Sequence, residues 1–217
     1  MSFTDKLVVV SSKVKSPVLP WVFMLLGTVF IGLGIGAMIF SGLGVSPLDA
    51  FFASFSERFG LTTGSILIIF SLIFVAIAWV LGTKPGVGTI VSFIGIGLFV
   101  DLAIFVLSSL VPTLNIVFSA ALWGFSFSVF ALGVVLLFSS GLGASPYDQI
   151  VLAVSSRFKM SLGRSRIMFD FSAIVLAFLI LGLAASSFIH VGTIIILLAV
   201  PLVLNKAVPV CKKMLDR

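Results

Sequence analysis

Charged residues are scarce in this chain of 217 residues, and their scarcity excludes an ordinary soluble domain. Only 9% of the residues are Asp, Glu, Lys or Arg, whereas a soluble domain has about 25%. Hydrophobic residues make up 60%, and several uncharged runs reach the roughly 20 residues that cross a bilayer core of about 30 Å. A β-barrel would instead show alternating segments of about 10 residues. The composition therefore predicts an all-α polytopic membrane protein.

Cysteine and histidine are equally rare. The single cysteine excludes an intrachain disulfide, and one cysteine with one histidine cannot make a typical metal site. The sequence contains no P-loop, no nucleophile–base pair and no βαβ unit that would support a dinucleotide fingerprint. We therefore expect no metal, no cofactor and no enzymatic activity. The net charge of +6 indicates the cytoplasmic loops of a membrane protein rather than a nucleic-acid surface.

One nine-residue segment occurs twice, at 41–49 and at 140–148. Seven of the nine positions are identical, at an offset of 99 residues, and each copy contains Gly-x-Gly-x-Ser-Pro-x-Asp. Later in each half, the Val-Gly-Thr-Ile segment at 87–90 returns at 191–194, at an offset of 104 residues. The sequence therefore predicts two repeats of about 100 residues.

Six long apolar segments are predicted to cross the membrane, and a shorter segment follows each motif copy. The long segments are 21–40, 63–83, 88–110, 117–138, 165–185 and 191–205, and the short ones are 47–59 and 146–158. A short segment makes only roughly 20 Å of helix, too little to span alone. Each repeat thus has three long transmembrane helices and one short broken or re-entrant helix. The predicted division is a cytoplasmic segment 1–20, membrane repeats 21–112 and 113–211, and a cytoplasmic tail 212–217.

The basic residues predict that both termini are cytoplasmic. With six crossings, 12 of the 13 Lys and Arg residues lie on the cytoplasmic side, as the positive-inside rule requires, and the repeats have inverted topology. With eight crossings, in which each motif and its short helix span together, the count is again 12 of 13 and the repeats are parallel. The crowding of polar residues in the short segments favours six crossings, but charge alone leaves both open.

The repeated motif has two interpretations. In the first it only starts a short helix, because Ser is a good N-cap, Pro suits the first helical position, and Asp three residues after Ser resembles a capping box. In the second these caps line a cavity between the repeats and bind a substrate or an ion, as broken helices do in transporters. Both can hold at once. The candidate binding residues are Gly44, Ser46, Asp49, Gly143, Ser145 and Asp148.

Three further charged residues lie in predicted spans. Asp101 is isolated in the apolar run 95–105, where a carboxylate costs about 2.5–3.5 kcal/mol on insertion scales. It is either an interhelical hydrogen-bonding residue or an ion-coupling group, and the equivalent Asn205 cannot ionise. Arg166 and Asp170 are four residues apart, so they are predicted to form a structural ion pair on one helix face.

The arrangement resembles the YczE/YitT-like family of bacterial integral membrane proteins over nearly the whole chain. The resemblance is carried by the motifs at 42–49 and 141–148, by the Gly-Thr pairs at 88–89 and 192–193, and by Asp101. It implies a location in the bacterial cytoplasmic membrane. The family is largely uncharacterised, so the resemblance implies no activity and no catalytic residues.

The duplicated acidic motif favours a secondary-transporter-like permease or exporter of a small molecule or ion, with its site between the repeats. The alternative is a non-transporting scaffold or regulatory membrane protein that acts through a partner, since the sequence carries no recognisable substrate signature. The lipid bilayer is the expected partner. An oligomer is compatible with the sequence, but nothing in it supports one.

Overall fold

The chain folds as a set of helices in a computed structural model, which describes residues 18–111, 114–160, 162–182, 187–200 and 202–203. No strand occurs in these ranges. The predicted cytoplasmic segment 1–20, the tail 212–217 and Asn205 lie largely or wholly outside them. The described ranges contain eight α-helices, namely α1 (Leu19–Ser41), α2 (Pro47–Phe59), α3 (Thr63–Val80), α4 (Val87–Leu110), α5 (Ile116–Ser140), α6 (Pro146–Arg157), α7 (Leu162–Leu181) and α8 (Val191–Val200).

Four of these helices, α1, α3, α4 and α5, are long and apolar enough to cross a membrane. Their outward faces carry large apolar side chains, such as Phe105 and Phe125, which are 70% and 69% exposed. A water-soluble protein rarely exposes so continuous an apolar surface, whereas lipid tails solvate one readily. Together, the lengths and the exposed apolar faces describe a membrane protein with several membrane-length helices.

The long helix α1 packs in the centre of the molecule against α5 and α4. A Cβ built on Gly27 would lie 2.7 Å from the backbone nitrogen of Leu137, and one built on Gly34 would lie 2.7 Å from the Cβ of Phe130. These glycines therefore let the two backbones approach closely. Because the residue numbers of the contacts fall along α5 as they rise along α1, the two helices are antiparallel.

The contacts of α1 with α4 run in the opposite sense. Gly32 meets Ile96 and Phe99, and Gly36 meets Val100, so residue numbers rise together and the two helices are parallel. In contrast, α3 runs antiparallel to α4, because Gly64 approaches Asp101 while Ile68 approaches Gly97. Between α1 and α4, which run in the same direction, α3 therefore runs in the opposite direction.

Both short helices lie against the same two long helices. The first, α2, packs on α3 and α7, and the second, α6, also packs on α3 and α7. Their bounds agree with the predicted short segments to within one residue. This arrangement brings the N-termini of α2 and α6, where the motifs end, into the interior of the helix bundle.

Candidate functional site

The two motif copies build the same helix cap. The Ser46 Oγ accepts a hydrogen bond from the backbone N–H of Asp49 and donates one to the Asp49 carboxylate. Ser145 does the same with Asp148, at 3.3 Å from its N–H and 2.6 Å from its Oδ2. The predicted N-caps with proline at the first helical position are confirmed. Unlike in a capping box, the carboxylate accepts from the serine hydroxyl, which ties each acid to its own helix start.

Each motif is held in place by the Gly-Thr pair of the other half of the chain. The Gly88 N–H donates to the Leu142 carbonyl at 2.9 Å, and the Gly192 N–H donates to the Leu43 carbonyl at 2.9 Å. In addition, the Thr89 hydroxyl donates to the Ala144 carbonyl at 2.8 Å. The backbone before each cap is therefore fixed by hydrogen bonds from outside its own half.

Gly44 and Gly143 make these contacts sterically feasible. Their φ angles are +105° and +140°, a region that residues with a side chain rarely adopt. A Cβ on Gly143 would lie 2.6 Å from the Thr89 Oγ1, and one on Gly44 would lie 2.8 Å from the Thr193 Oγ1. Neither glycine lines the cavity onto which the motifs open. Their observed role is to let the threonines approach the motif backbone closely.

Both caps open onto one cavity. Ser46, Asp49, Ser145 and Asp148 all line it. The space available to the centres of water-sized molecules is about 80 Å³, several times the roughly 10–15 Å³ that a single water needs. Apolar side chains from several helices form most of the rest of the wall, among them Ile31 and Ile35 of α1 and Phe130 and Val134 of α5. The result is an apolar cavity with a few convergent polar groups, the usual form of a small-molecule site.

One side of the cavity holds a buried polar cluster. The Arg166 Nη1 lies 3.0 Å from the Asp148 Oδ1, and the Arg166 guanidinium stacks 5.1 Å from the centre of the Tyr147 ring. The Tyr147 hydroxyl donates to the Asp170 Oδ1 at 2.6 Å. Arg166 therefore takes Asp148 as its ion-pair partner, in place of the predicted Asp170, and links α7 to the second motif.

The opposite side of the cavity is lined by the equivalent residues of the first half, but their side chains differ in chemistry. At the offset of 99 residues, Leu48 is equivalent to Tyr147, Leu67 to Arg166 and Ser71 to Asp170. All six residues line the cavity. The serine, the proline and the acid of the motif are common to both sides, whereas the tyrosine, the arginine and the second acid occur on one side only. Asp49 is 8% exposed. No cation lies within ion-pair distance of Asp49 in the part of the chain that the structure describes.

Asp101 does not line this cavity. Its Oδ1 accepts a hydrogen bond from the Gly64 N–H at 2.7 Å, in the first turn of α3, where backbone N–H groups have no partner within the helix. The first of the two predicted roles, an interhelical hydrogen bond, is therefore present. Whether Asp101 also couples an ion stays a prediction.

The sequence did not single out Tyr147 or Arg166 for the cavity. Tyr147 is the one tyrosine of the chain and occupies one of the two positions that differ between the motif copies, and this difference was the signal that could have found it. The position of Arg166 in the sequence indicates only a pair with Asp170 and a contribution to the cytoplasmic positive charge. Within the described ranges, no group of three or more His, Cys, Asp or Glu side chains lies close enough to hold a metal ion.

Sequence comparison agrees with the resemblance to YczE-like proteins. The family model DUF6198, a family of unknown function, matches residues 18–207. The chain is 27% identical over 191 residues to the uncharacterized protein YyaS of Bacillus subtilis (strain 168), covering 87% of this chain and 92% of YyaS. It is 32% identical over 154 residues to the uncharacterized membrane protein YczE of the same strain, covering 64% of this chain and 65% of YczE. No solved structure matches the chain. The chain therefore belongs to DUF6198, a family of unknown function, and is a membrane protein.

Proposed function

We propose that this membrane protein is a secondary-transporter-like permease or exporter of a small molecule, which binds in the central cavity. One observation carries the proposal: two copies of one acidic motif, 99 residues apart in the sequence, open onto a single cavity. Paired helix starts from two repeats are the usual position of a transporter binding site. A cap that only starts a helix has no need of such a cavity.

The helix directions support an inverted repeat. In the duplicated sequence α5 corresponds to α1, and these two helices pack antiparallel. Equivalent helices that run in opposite directions are related by an axis in the membrane plane, as in many secondary transporters. The two halves can then exchange conformations and open the cavity to either face in turn.

The same directions favour six crossings over eight. Because α1 and α4 are parallel and α3 runs against them, the chain needs only α3 to return between α1 and α4. On this account α2 and α6 are re-entrant helices that enter and leave on one side. The excess of basic residues then supports a location of both termini in the cytoplasm of a bacterial cell.

The experiment is transport by purified protein in proteoliposomes. A set of labelled inorganic cations, inorganic anions, amino acids and amines is presented with and without a pH gradient. We expect one class to accumulate above protein-free vesicles. Removing the charge of either motif acid, by Asp49→Asn or Asp148→Asn, should lower the initial rate at least tenfold. The exposed Glu57 offers a matched control, because Glu57→Gln removes the same charge outside the cavity.

Two results would overturn the proposal. A solute carried at the normal rate by both motif variants would remove the cavity from the transport route. A protein that moves no solute and whose cavity no aqueous reagent reaches would favour the alternative, a scaffold or regulatory protein that acts through a partner.

A further inference from the structure

The cavity contains more negative than positive groups. Three carboxylates line it, from Asp49, Asp148 and Asp170, against the single guanidinium of Arg166. Arg166 forms its ion pair with Asp148, and Asp170 accepts from the Tyr147 hydroxyl. Asp49 and Asp170 each accept from one side-chain hydroxyl and have no ion-pair partner among the described residues. The hydroxyl that binds Asp170 belongs to Tyr147, whose ring contacts Arg166, so Asp49 is the carboxylate that lies outside the Arg166 cluster.

Asp49 is largely buried, and its carboxylate is only partly hydrogen-bonded. Its side chain accepts from the Ser46 hydroxyl through Oδ2, and its Oδ1 has no hydrogen-bond partner among the described residues. Because the residue is 8% exposed and lines the cavity, water cannot solvate the carboxylate fully. A buried carboxylate is costly unless it is paired, so the cavity has room and reason for a positive partner.

In the second half of the molecule, Arg166 is the positive partner of the motif acid. Its guanidinium contacts both the Asp148 carboxylate and the face of the Tyr147 ring. In the first half, Leu67 occupies the position equivalent to Arg166, so no cation of the described residues pairs with Asp49. The carboxylate of the first half is nevertheless present, and the space beside it is open.

Aromatic rings are also present on the Asp49 side. Phe52 is three residues after Asp49, so both lie on one face of α2, and Phe74 lies 6.3 Å from Phe52 between ring centres. Both rings line the cavity. An aromatic face beside a carboxylate is how proteins bind ammonium and quaternary ammonium groups.

We propose that the cavity binds a small organic monocation, with its ammonium group between Asp49 and the Phe52 and Phe74 rings and its apolar body against Leu48 and Leu67. The bound ligand then takes the place that Arg166 occupies in the other half. This inference rests on the proposed function, because it names the class of solute that the permease would carry.

The test is equilibrium binding of radiolabelled benzyltrimethylammonium to the purified full-length protein in detergent. Phenylacetate, an aromatic anion of similar size, is the matched ligand control. We expect saturable binding of the cation and none of the anion. Asp49→Asn should weaken cation binding at least tenfold, whereas Glu57→Gln should change it less than twofold.

A second variant keeps the test decisive if Asp49→Asn fails to fold. Leu67→Arg places a guanidinium where the other half has one, so it should weaken cation binding at least tenfold while Asp49 stays intact. Binding of phenylacetate instead of the cation would overturn the inference. So would wild-type cation affinity in whichever of the two variants folds.

The outcome separates the inference from the proposed function. If benzyltrimethylammonium does not bind but another solute is carried in an Asp49-dependent way, the organic-cation site is wrong and the permease stands. If it binds but neither it nor any other solute crosses the proteoliposome membrane, the site stands and the permease is wrong.

Discussion

The Nη1 atom of Arg166 lies 3.0 Å from the Oδ1 atom of Asp148, so a side chain of α7 neutralises the acid of the second motif. The equivalent acid of the first motif, Asp49, lines the same cavity, and none of the described residues provides it with such a partner. One motif acid is therefore paired within the structure, and under the proposed function the other is the acid that binds a ligand. The proposal thus assigns different roles to two nearly identical sequences.

The first prediction concerns the stability that this ion pair provides. Replacing Arg166 by its counterpart in the first half, Arg166→Leu, leaves Asp148 buried without a cation. Removal of one partner of a buried pair costs roughly 3–5 kcal/mol. We expect a clearly lower midpoint of thermal unfolding in detergent, followed by tryptophan fluorescence. Lys84→Gln removes a positive charge from an exposed loop position and should leave the midpoint nearly unchanged.

A double variant tests the reason for that loss. If the unpaired carboxylate causes the destabilisation, Arg166→Leu combined with Asp148→Asn should recover a large part of the midpoint. An Arg166→Leu protein as stable as the Lys84→Gln protein would contradict the prediction.

The second prediction concerns the glycine before the second cap. Gly143→Ala should destabilise the protein both through its φ angle of +140° and through contact with Thr89. Backbone strain of this kind costs about 1–3 kcal/mol, and the contact adds to it. Gly60 also has a positive φ angle, +66°, but a Cβ there meets nothing within 4 Å. Gly60→Ala is therefore the matched control for strain without contact.

Stability of the two alanine variants is measured by chemical unfolding in mixed micelles. The expected order is wild type, then Gly60→Ala, then Gly143→Ala, with at least about 1 kcal/mol between the two variants. Equal losses in the two variants would show that the close approach of Thr89 contributes nothing.

The third prediction separates two roles of Asp101. Capping of α3 through the Gly64 N–H requires only an acceptor oxygen, whereas ion coupling requires an ionisable group. Asp101→Ala should therefore cost about 0.5–2 kcal/mol, the usual cost of losing a cap, and Asp101→Asn should cost much less. If capping is its whole role, Asp101→Asn also keeps the wild-type transport rate. A stable Asp101→Asn protein that no longer transports would assign Asp101 to coupling.

The sequence predicted the elements of this fold well because they depend on local signals. The bounds of α2, the serine caps and the proline at the first helical position follow from neighbouring residues. The four longest apolar helices follow from composition alone. In each case the information lies within a few residues of the structure that it determines.

Other features depend on contacts between distant segments and could not be read from spacing. The four-residue separation of Arg166 and Asp170 indicates that they share a helix face, but not that Asp148 of another helix lies closer to the guanidinium. The direction of α1 relative to α5 likewise depends on packing at Gly27 and Gly34. Counting of basic residues therefore gave equal support to six and eight crossings.

If the protein is a permease, the cavity between the motifs must open to both faces of the membrane in turn, and the accessibility of an introduced cysteine measures this. Ser71 lines the cavity and is 4% exposed, so Ser71→Cys places a small thiol there once the single native cysteine is removed by Cys211→Ser. A membrane-impermeant methanethiosulfonate reagent is applied to right-side-out and to inverted vesicles. Lys84→Cys, at an exposed loop position, is the control and should react from one face only. We expect the thiol at position 71 to react with the reagent from both faces. Reaction from one face only, or from neither, would argue against a permease.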